Sequence, residues 1–129
     1  MIKGPDLIKN AIFKEEAYDL LSDIEQVLLE MEDIPDSDEL VLRLFRAIHA
    51  VKGAGAIFGF SEVSEFAQKM ETLINAVRNG TVSLTEEVVD TLFMARDHIL
   101  LILDVDPSEE ETIHNDTERI VQMMQAHLP

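Results

Sequence analysis

Apolar residues recur at intervals of three and four along most of the chain, which is the spacing of one face of an α-helix. In the first stretch this face comprises Leu21, Ile24, Leu28 and Met31, and the pattern breaks near Pro35. The same spacing returns four more times, so the pattern predicts five helical stretches. The core positions expected in the second to fifth stretches are Val41, Leu44, Ile48, Val51 and Gly55; Val63, Phe66, Met70, Ile74 and Val77; Val88, Leu92, Ala95, Ile99 and Ile102; and Ile113, Ile120, Met124 and Leu128.

Residues typical of helix ends separate these stretches. The expected N-caps, several with a glutamate at capping-box spacing, are Asp6, Asp36 with Glu39, Ser61, Ser83 with Glu86, and Ser108 with Glu111. Gly80 is expected to end the third helix in a left-handed conformation. The second helix is expected to decay into a glycine-rich tail at Gly59-Phe60. The first half of the fifth stretch is so acidic that a loop is an alternative to a helix there.

Short connections between the stretches favour antiparallel neighbours. We therefore predict an all-α fold: an up-down antiparallel four-helix bundle with an additional C-terminal helix. The fourth stretch is apolar on more than one side, which predicts a central position. A length of 129 residues fits a single domain over residues 1–129. With 5 Gly, 4 Pro and 5% aromatic residues, the composition argues against a β-sandwich or barrel.

Charge and cysteine content exclude several classes of function. The formal net charge is −16, so electrostatic binding to nucleic acid or to an anionic membrane is not expected. The chain has no Cys, which excludes disulfides, thiol catalysis and Cys-ligated zinc. No apolar run approaches the roughly 20 residues of a membrane helix, so we expect no membrane insertion. Together these features predict a cytoplasmic protein.

One window of the chain departs from this acidic pattern. All 26 acidic residues lie outside residues 40–61, whereas Arg43, Arg46 and Lys52 lie inside that window. A buried helix would also lack acids, but it would not favour three basic residues. Such a pattern suits an anion site, because a nearby carboxylate would repel a phosphate group.

His49 lies in the middle of this acid-free window, one residue after core position Ile48. Arg46 and Gly53 share its helix face, and Lys52 is a neighbour one turn on. Gly53 leaves space beside the imidazole for a partner's active site. Gly55, on the core face, indicates either close helix packing or a frayed helix end. A neutral imidazole is a good nucleophile near pH 7, although a lone helical histidine is most often an ordinary surface residue.

The segment Phe45-Arg46-Ala47-Ile48-His49-Ala50-Val51-Lys52-Gly53, with Gly55 and Phe58-Gly59-Phe60 after it, closely resembles the histidine phosphotransfer (HPt) motif. The version is similar to the N-terminal phosphotransfer domain of CheA-type chemotaxis histidine kinases. Met70-Glu71-Thr72-Leu73 and Arg78-Asn79-Gly80 resemble the next helix of that family and its end.

The resemblance implies roles for individual residues. His49 would be phosphorylated on Nε2, and Glu71 would accept a hydrogen bond from its Nδ1–H. Lys52 would support the phosphoryl oxygens or the local network. Gln68 departs from the family pattern, in which a second histidine often occupies this position, so a role for a second imidazole is in doubt. By periodicity alone, Glu71 would instead be interpreted as a solvated acid.

The resemblance also implies the partners of the domain. An ATP-binding kinase domain, in cis or in trans, would phosphorylate His49, and the receiver domain of a response regulator would take the phosphoryl group. The domain would need no cofactor of its own, since ATP and magnesium would belong to the kinase domain. Whether such a carrier counts as an enzyme is open, because its active site would not be self-contained.

Two other functions remain possible from the residues themselves. The same helix face could serve a non-catalytic helical docking module. A metal-carboxylate bundle enzyme is weaker, because Glu111-x-x-His114 is a single Glu-x-x-His unit where such sites need two. His98, His114 and His127 are expected to be solvated.

Overall fold

The described residues of the chain form five helices. The computed structural model describes residues 4–35, 37–104 and 110–129, with side chains from residue 8 onward. The helices are α1 (Gly4–Asp33), α2 (Asp38–Phe58), α3 (Ser61–Arg78), α4 (Glu86–Leu103) and α5 (Glu110–Ala126). No helix in the described ranges combines the length and apolar character that a membrane crossing requires.

The first four helices form a closed up-down bundle. α1 packs against α2 and α4, and α3 packs against the same two helices. α5 lies outside this square, against α3 and α4. The predicted fold class is therefore confirmed, and α4 contacts three helices, as its apolar faces indicated, although α3 also does so.

The core consists largely of the positions that the periodicity selected. Those with no exposed surface are Leu21, Ile24, Leu28, Leu44, Ile48, Val51, Met70, Ile74, Leu92, Ala95 and Ile99. Val77, Ile113 and Leu128 are only partly buried and pack at the edge of this core.

The N-caps predicted for α3 and α4 are wrong. Thr85, not Ser83, caps α4, with its hydroxyl oxygen accepting the amide N–H of Val88 at 3.2 Å. Only the residue directly before the helix can reach that amide, and Ser83 lies too early. Ser61 is already the first residue of α3, because the N–H of Phe60 is bonded to the carbonyl of Gly55 at 2.7 Å and α3 starts immediately afterwards.

The starts of the other helices also differ from expectation. Ser37 caps α2 through the N–H of Leu40, and Asp36 lies outside the described residues. α1 begins at Gly4, so Asp6 lies within the helix; a proline at position 5 is tolerated because first-turn amides have no intrahelical acceptor. Ser108 lies outside the described residues.

The acidic first half of α5 is helical, so the alternative of a loop is wrong. Glu110 and Glu111 occupy the first turn of α5, where the helix dipole favours negative side chains.

Both α2 and α3 end at a glycine in the left-handed conformation. Gly59 and Gly80 each have a φ of +83°, which glycine adopts without steric cost. After α3, the N–H of Thr81 donates to the carbonyl of Ala76 at 2.9 Å, which completes the expected C-terminal motif at Gly80. α2 continues as regular helix to Phe58, so the expected glycine-rich decay does not occur.

His98 is not solvated, contrary to expectation. It lies in α4 with 2% of its surface exposed, and its Nε2 is 2.6 Å from the hydroxyl oxygen of Thr117 in α5. That hydroxyl donates to the carbonyl of Ile113, so Nε2–H of His98 is the donor to Thr117. Burial lowers the pKa of His98, with a smaller opposing effect of Asp116.

The other two histidines of this region differ from each other. His127 is half-buried and its Nε2 lies 2.9 Å from the hydroxyl oxygen of Thr91 in α4, so it is not simply solvated. His114 is exposed on α5 as expected, 3.3 Å from the carboxylate of Glu118.

Replacing Gly55 by alanine should destabilise the protein. A Cβ at Gly55 would lie 3.1 Å from the amide nitrogen of Ser64 and 3.2 Å from the carbonyl oxygen of Phe60, and neither backbone atom can move freely. We expect Gly55→Ala to lower the free energy of unfolding by about 1–3 kcal/mol, measured by urea denaturation. Gly53→Ala is the matched control, because a Cβ there meets nothing within 4 Å. It should stabilise the helix by up to about 1 kcal/mol, and equal effects of the two variants would contradict close packing at Gly55.

The buried His98 should make stability depend on pH. Its pKa is lower in the folded chain than the ordinary value of 6.5, so the unfolded chain takes up the proton first as pH falls. The free energy of unfolding should therefore decrease as the pH falls through about 6.5, the ordinary pKa of histidine, and His98→Gln should reduce that slope. The exposed His114→Gln serves as control. An identical slope in wild type and His98→Gln would show that His98 does not cause the dependence.

Candidate functional site

His49 lies on the outer side of α2, facing α3. Its neighbour Ile48 is fully buried, whereas the His49 side chain is 60% exposed. The ring is therefore attached to rigid, well-packed backbone while much of its surface stays open to an incoming group. This is the exposure that its position one residue past a core residue predicts.

A hydrogen bond to α3 fixes one edge of the imidazole. Nδ1 of His49 lies 2.6 Å from Oε2 of Glu71. An ionised carboxylate can only accept, so Nδ1 carries the hydrogen and donates it. Nε2 then holds the lone pair of the neutral ring. This arrangement makes Nε2 the nucleophilic nitrogen.

The ionised state of Glu71 is favoured by its two partners. Partial burial alone would raise the pKa of Glu71, but hydrogen bonds from Lys52 and His49 outweigh burial and lower that pKa. Nζ of Lys52 lies 2.8 Å from Oε1 of Glu71, so each carboxylate oxygen has one donor. Glu71 is therefore negatively charged at neutral pH and remains an acceptor for His49.

Gln68 extends this network along α3. Nζ of Lys52 also donates to Oε1 of Gln68 at 3.2 Å, and Nε2 of Gln68 is 3.4 Å from the hydroxyl oxygen of Thr72. Ser64, one turn before Gln68, donates its hydroxyl to the carbonyl of Lys52 at 3.0 Å. Lys52 thus contacts α3 through both its side chain and its backbone.

An aromatic contact lies on the face of the imidazole. The ring of Phe45, one turn before His49 on α2, has its centroid 6.0 Å from that of His49, and the ring planes differ by 15°. The guanidinium carbon of Arg78, at the end of α3, lies 4.4 Å from the Phe45 centroid. The His49 ring therefore has a hydrogen-bonded edge and a stacked face.

Space and positive charge surround the exposed side of the ring. Gly53, one turn after His49, has nothing within 4 Å of the place where a Cβ would stand. Arg46 is exposed on the same face of α2, and the structure gives it no ion pair among the described residues. Both observations agree with a site that is open to an anionic group.

The site is a surface and not a deep cavity. A cavity of about 660 Å³ lies between α3 and α5, lined by Phe66, Ile113 and Val121 among others, but His49 does not line it. In the described ranges, no group of three or more metal-ligating side chains is close enough to hold a metal ion. Such an open site suits a reaction partner that brings its own catalytic groups.

The structure brings together most of the residues singled out in the sequence. Lys52, Gln68 and Glu71 form one network with His49, and Glu71 is not the solvated acid that periodicity alone indicated. Gln68 contacts Lys52 and not His49 itself. Phe45 and Arg78 were not expected to contribute to the site. The spacing of Phe45 four residues before His49 could have indicated the first contact, but nothing in the sequence places Arg78 over Phe45.

Comparisons with known proteins agree with this geometry. The family model described as "Hpt domain" matches residues 11–126. The chain is 35% identical over 88 residues to the chemotaxis protein CheA of Listeria monocytogenes, covering 68% of this chain and 14% of that protein. It is 34% identical over 100 residues to CheA of Salmonella typhimurium, covering 77% and 15% respectively. The chain thus spans about one-seventh of the length of these curated relatives.

Solved structures resemble the whole bundle. The phosphorylated P1 domain of CheA3 from R. sphaeroides, solved in complex with CheY6, superposes with a TM-score of 0.76 at 27% identity, covering 92% of this chain and 93% of that one. The CheA phosphotransferase domain of Thermotoga maritima gives a TM-score of 0.71 at 29% identity, covering 74% and 90%.

The hydrogen bond to Glu71 should set the tautomer of His49. We expect ring ¹⁵N chemical shifts of the neutral wild-type imidazole to report hydrogen on Nδ1. Glu71→Ala should shift the population towards the Nε2–H tautomer, because Nδ1–H loses its acceptor. Thr72→Ala, next to Glu71 but bonded to Gln68, is the control. An unchanged tautomer in Glu71→Ala would mean that this bond does not hold the ring.

Proposed function

The chain belongs to the Hpt domain family, and from this we propose that it carries phosphoryl groups in a chemotaxis-type two-component phosphorelay. His49 accepts a phosphoryl group from an ATP-dependent kinase domain and passes it to an aspartate of a response regulator. The observation that carries the proposal is the exposed His49, whose Nδ1 is held by the ionised Glu71.

Each transfer is a substitution at phosphorus. In the first, the Nε2 lone pair forms the N–P bond while the bond from the γ-phosphorus to ADP breaks, and ADP leaves with the electron pair. The ring becomes cationic as Nε2 bonds to phosphorus, and the Glu71 carboxylate on Nδ1–H stabilises that charge. In the second transfer, an aspartate oxygen bonds to phosphorus, the N–P bond breaks, and the neutral ring is restored.

The other site residues support these two steps. Lys52 holds Glu71 in its charged state, and its positive charge lies on the same carboxylate that binds the His49 ring, where it helps to balance added negative charge. Gly53 leaves space for the partner beside the imidazole, and Arg46 adds positive charge on the same face. Gln68 accepts from Lys52 in the position where the family often has a second histidine, so no second imidazole titrates here.

The partners follow from the open site and from the relatives. His49 lies on a surface that a folded domain can cover, and the similar P1 domain of CheA3 was solved in its phosphorylated form with CheY6. We propose a kinase domain, in cis or in trans, as donor and a receiver domain as acceptor. ATP and magnesium belong to the kinase domain, and this domain uses no cofactor of its own.

The extent and location of the domain are also proposals. The family match over residues 11–126 supports one phosphotransfer domain over residues 1–129. Sequence similarity to CheA proteins supports a cytoplasmic location, in agreement with a sequence that lacks cysteine.

Incubation with a CheA-type kinase domain and γ-labelled ATP tests the proposed function. We expect an acid-labile, alkali-stable label on the wild-type chain and none on His49→Gln, because phosphohistidine is a phosphoramidate. Adding a response regulator should discharge the label. His114→Gln, an exposed histidine on α5, is the matched control and should be labelled like wild type.

The assay also separates the proposed function from its main alternative. Failure of the wild type to be labelled, or label remaining on His49→Gln, would contradict the proposal. Binding of a partner that is insensitive to phosphorylation and to His49→Gln would favour a docking module.

In the same assay, the Glu71→Ala variant should be labelled about ten- to hundredfold more slowly than wild type while remaining folded, because the imidazole loses the partner that orients it.

A further inference from the structure

Three side chains form a continuous stack that ends at the proposed phosphoacceptor. Arg78 lies over the ring of Phe45 at 4.4 Å, and the Phe45 ring is nearly parallel to that of His49, at 15°. Phe45 belongs to α2 and Arg78 to the last turn of α3. The stack therefore ties the orientation of His49 to a residue on the neighbouring helix.

A single hydrogen bond cannot fix the imidazole plane. The torsion that turns the His49 ring about its Cβ–Cγ bond has a broad energy profile. The bond from Nδ1 to Glu71 holds one point on the ring edge and still permits the plane to tilt. A contact on the ring face restricts that tilt. Phe45 supplies the face contact, so Glu71 and Phe45 restrain the ring in different directions.

Phe45 needs support of its own. It is only half-buried, so the core does not hold its ring on every side. A guanidinium within about 6 Å of a ring centroid attracts the ring electrostatically, and Arg78 is well within that distance. Arg78 follows Glu71 by two helical turns on α3, so both residues lie on the face that meets α2. One helix face thus supports the edge and, through Phe45, the face of the imidazole.

We propose that Arg78 is a positioning residue for phosphoryl transfer, acting through Phe45 to hold the plane of the His49 imidazole. The inference rests on the proposed function. Arg78 and Phe45 exchange no proton or electron pair in the step: the N–P bond forms at Nε2 as the bond to the leaving group breaks. Their effect is to keep Nε2 in the reactive orientation before the donor arrives, which lowers the entropic part of the barrier.

The test combines a donor that needs no docking with a spectroscopic probe of the ring. Potassium phosphoramidate transfers its phosphoryl group to imidazole, breaking its own P–N bond and releasing ammonia. The full chain is treated with it as wild type, Arg78→Met, Arg78→Lys and Phe45→Leu. Proton and ¹⁵N chemical shifts of the His49 ring are recorded for each variant, because a stacked aromatic ring shifts the proton signals.

We expect Arg78→Met to slow phosphorylation of His49 by about two- to fivefold, the range that one exposed cation–π contact supports. Phe45→Leu should slow it at least as much, and both variants should move the His49 ring signals. Arg78→Lys keeps a cation and should recover much of the rate and the signals. Arg119→Met is the charge-matched control, because Arg119 lies on α5 beside Asp116.

Several results would overturn the proposal. Unchanged ring signals and an unchanged rate in Arg78→Met would show that Arg78 does not position the ring. A loss of rate in Arg119→Met equal to that in Arg78→Met would show a general charge effect. If Arg78→Met slows phosphorylation by the kinase domain but not by phosphoramidate, Arg78 acts in docking of the kinase domain instead. If the kinase domain labels no wild-type chain, the proposed function fails, and the ring signals still decide the positioning role.

Discussion

The close approach of α2 and α3 at Gly55 is the constraint on which the site depends. A Cβ at this position would crowd backbone atoms of Ser64 and Phe60, so the two helices pack at a distance that favours glycine. The left-handed Gly59 reverses the chain directly after α2, and α3 begins two residues later. His49 and Glu71 lie at nearly equal distances from this turn. An antiparallel pair with so short a connection therefore brings them level, and the hydrogen bond between them follows.

Much of the fold could be predicted from hydrophobic spacing, because burial of an apolar helix face is a local property of the sequence. The ends of the helices were less predictable. Ser61 has the right chemistry for an N-cap, but the turn that ends α2 uses Phe60 and leaves Ser61 inside the next helix. His98 was expected to be solvated because a polar residue beside a core position usually is. Its hydrogen-bond partner Thr117 belongs to α5 and reaches it only once α5 has docked on α4.

The candidate site, like the fold, could be predicted from the sequence only in part. The spacing of Arg46, His49, Lys52 and Gly53 lies within one helix, and their common surface could be inferred without a structure. The role of Glu71 came only from the resemblance, since periodicity treats it as a solvated acid. Contacts between helices depend on their register, which no single helix specifies. For that reason the geometry was needed to place Gln68 against Lys52 and Arg78 against Phe45.

These contacts explain why residues 40–61 lack acidic residues. A phosphoryl group on His49 would bring as many as about two negative charges to a chain whose net charge is already −16. The acid-free stretch of α2 keeps other carboxylates on that helix away from the new charge. Glu71, on α3, does lie beside this stretch, because its carboxylate must contact the ring to hold Nδ1–H. Lys52 resolves this conflict: its ammonium group is 2.8 Å from the Glu71 carboxylate and offsets the negative charge of that carboxylate. Lys52 thus permits one carboxylate, which orients the nucleophile, in a region that is otherwise kept free of carboxylates.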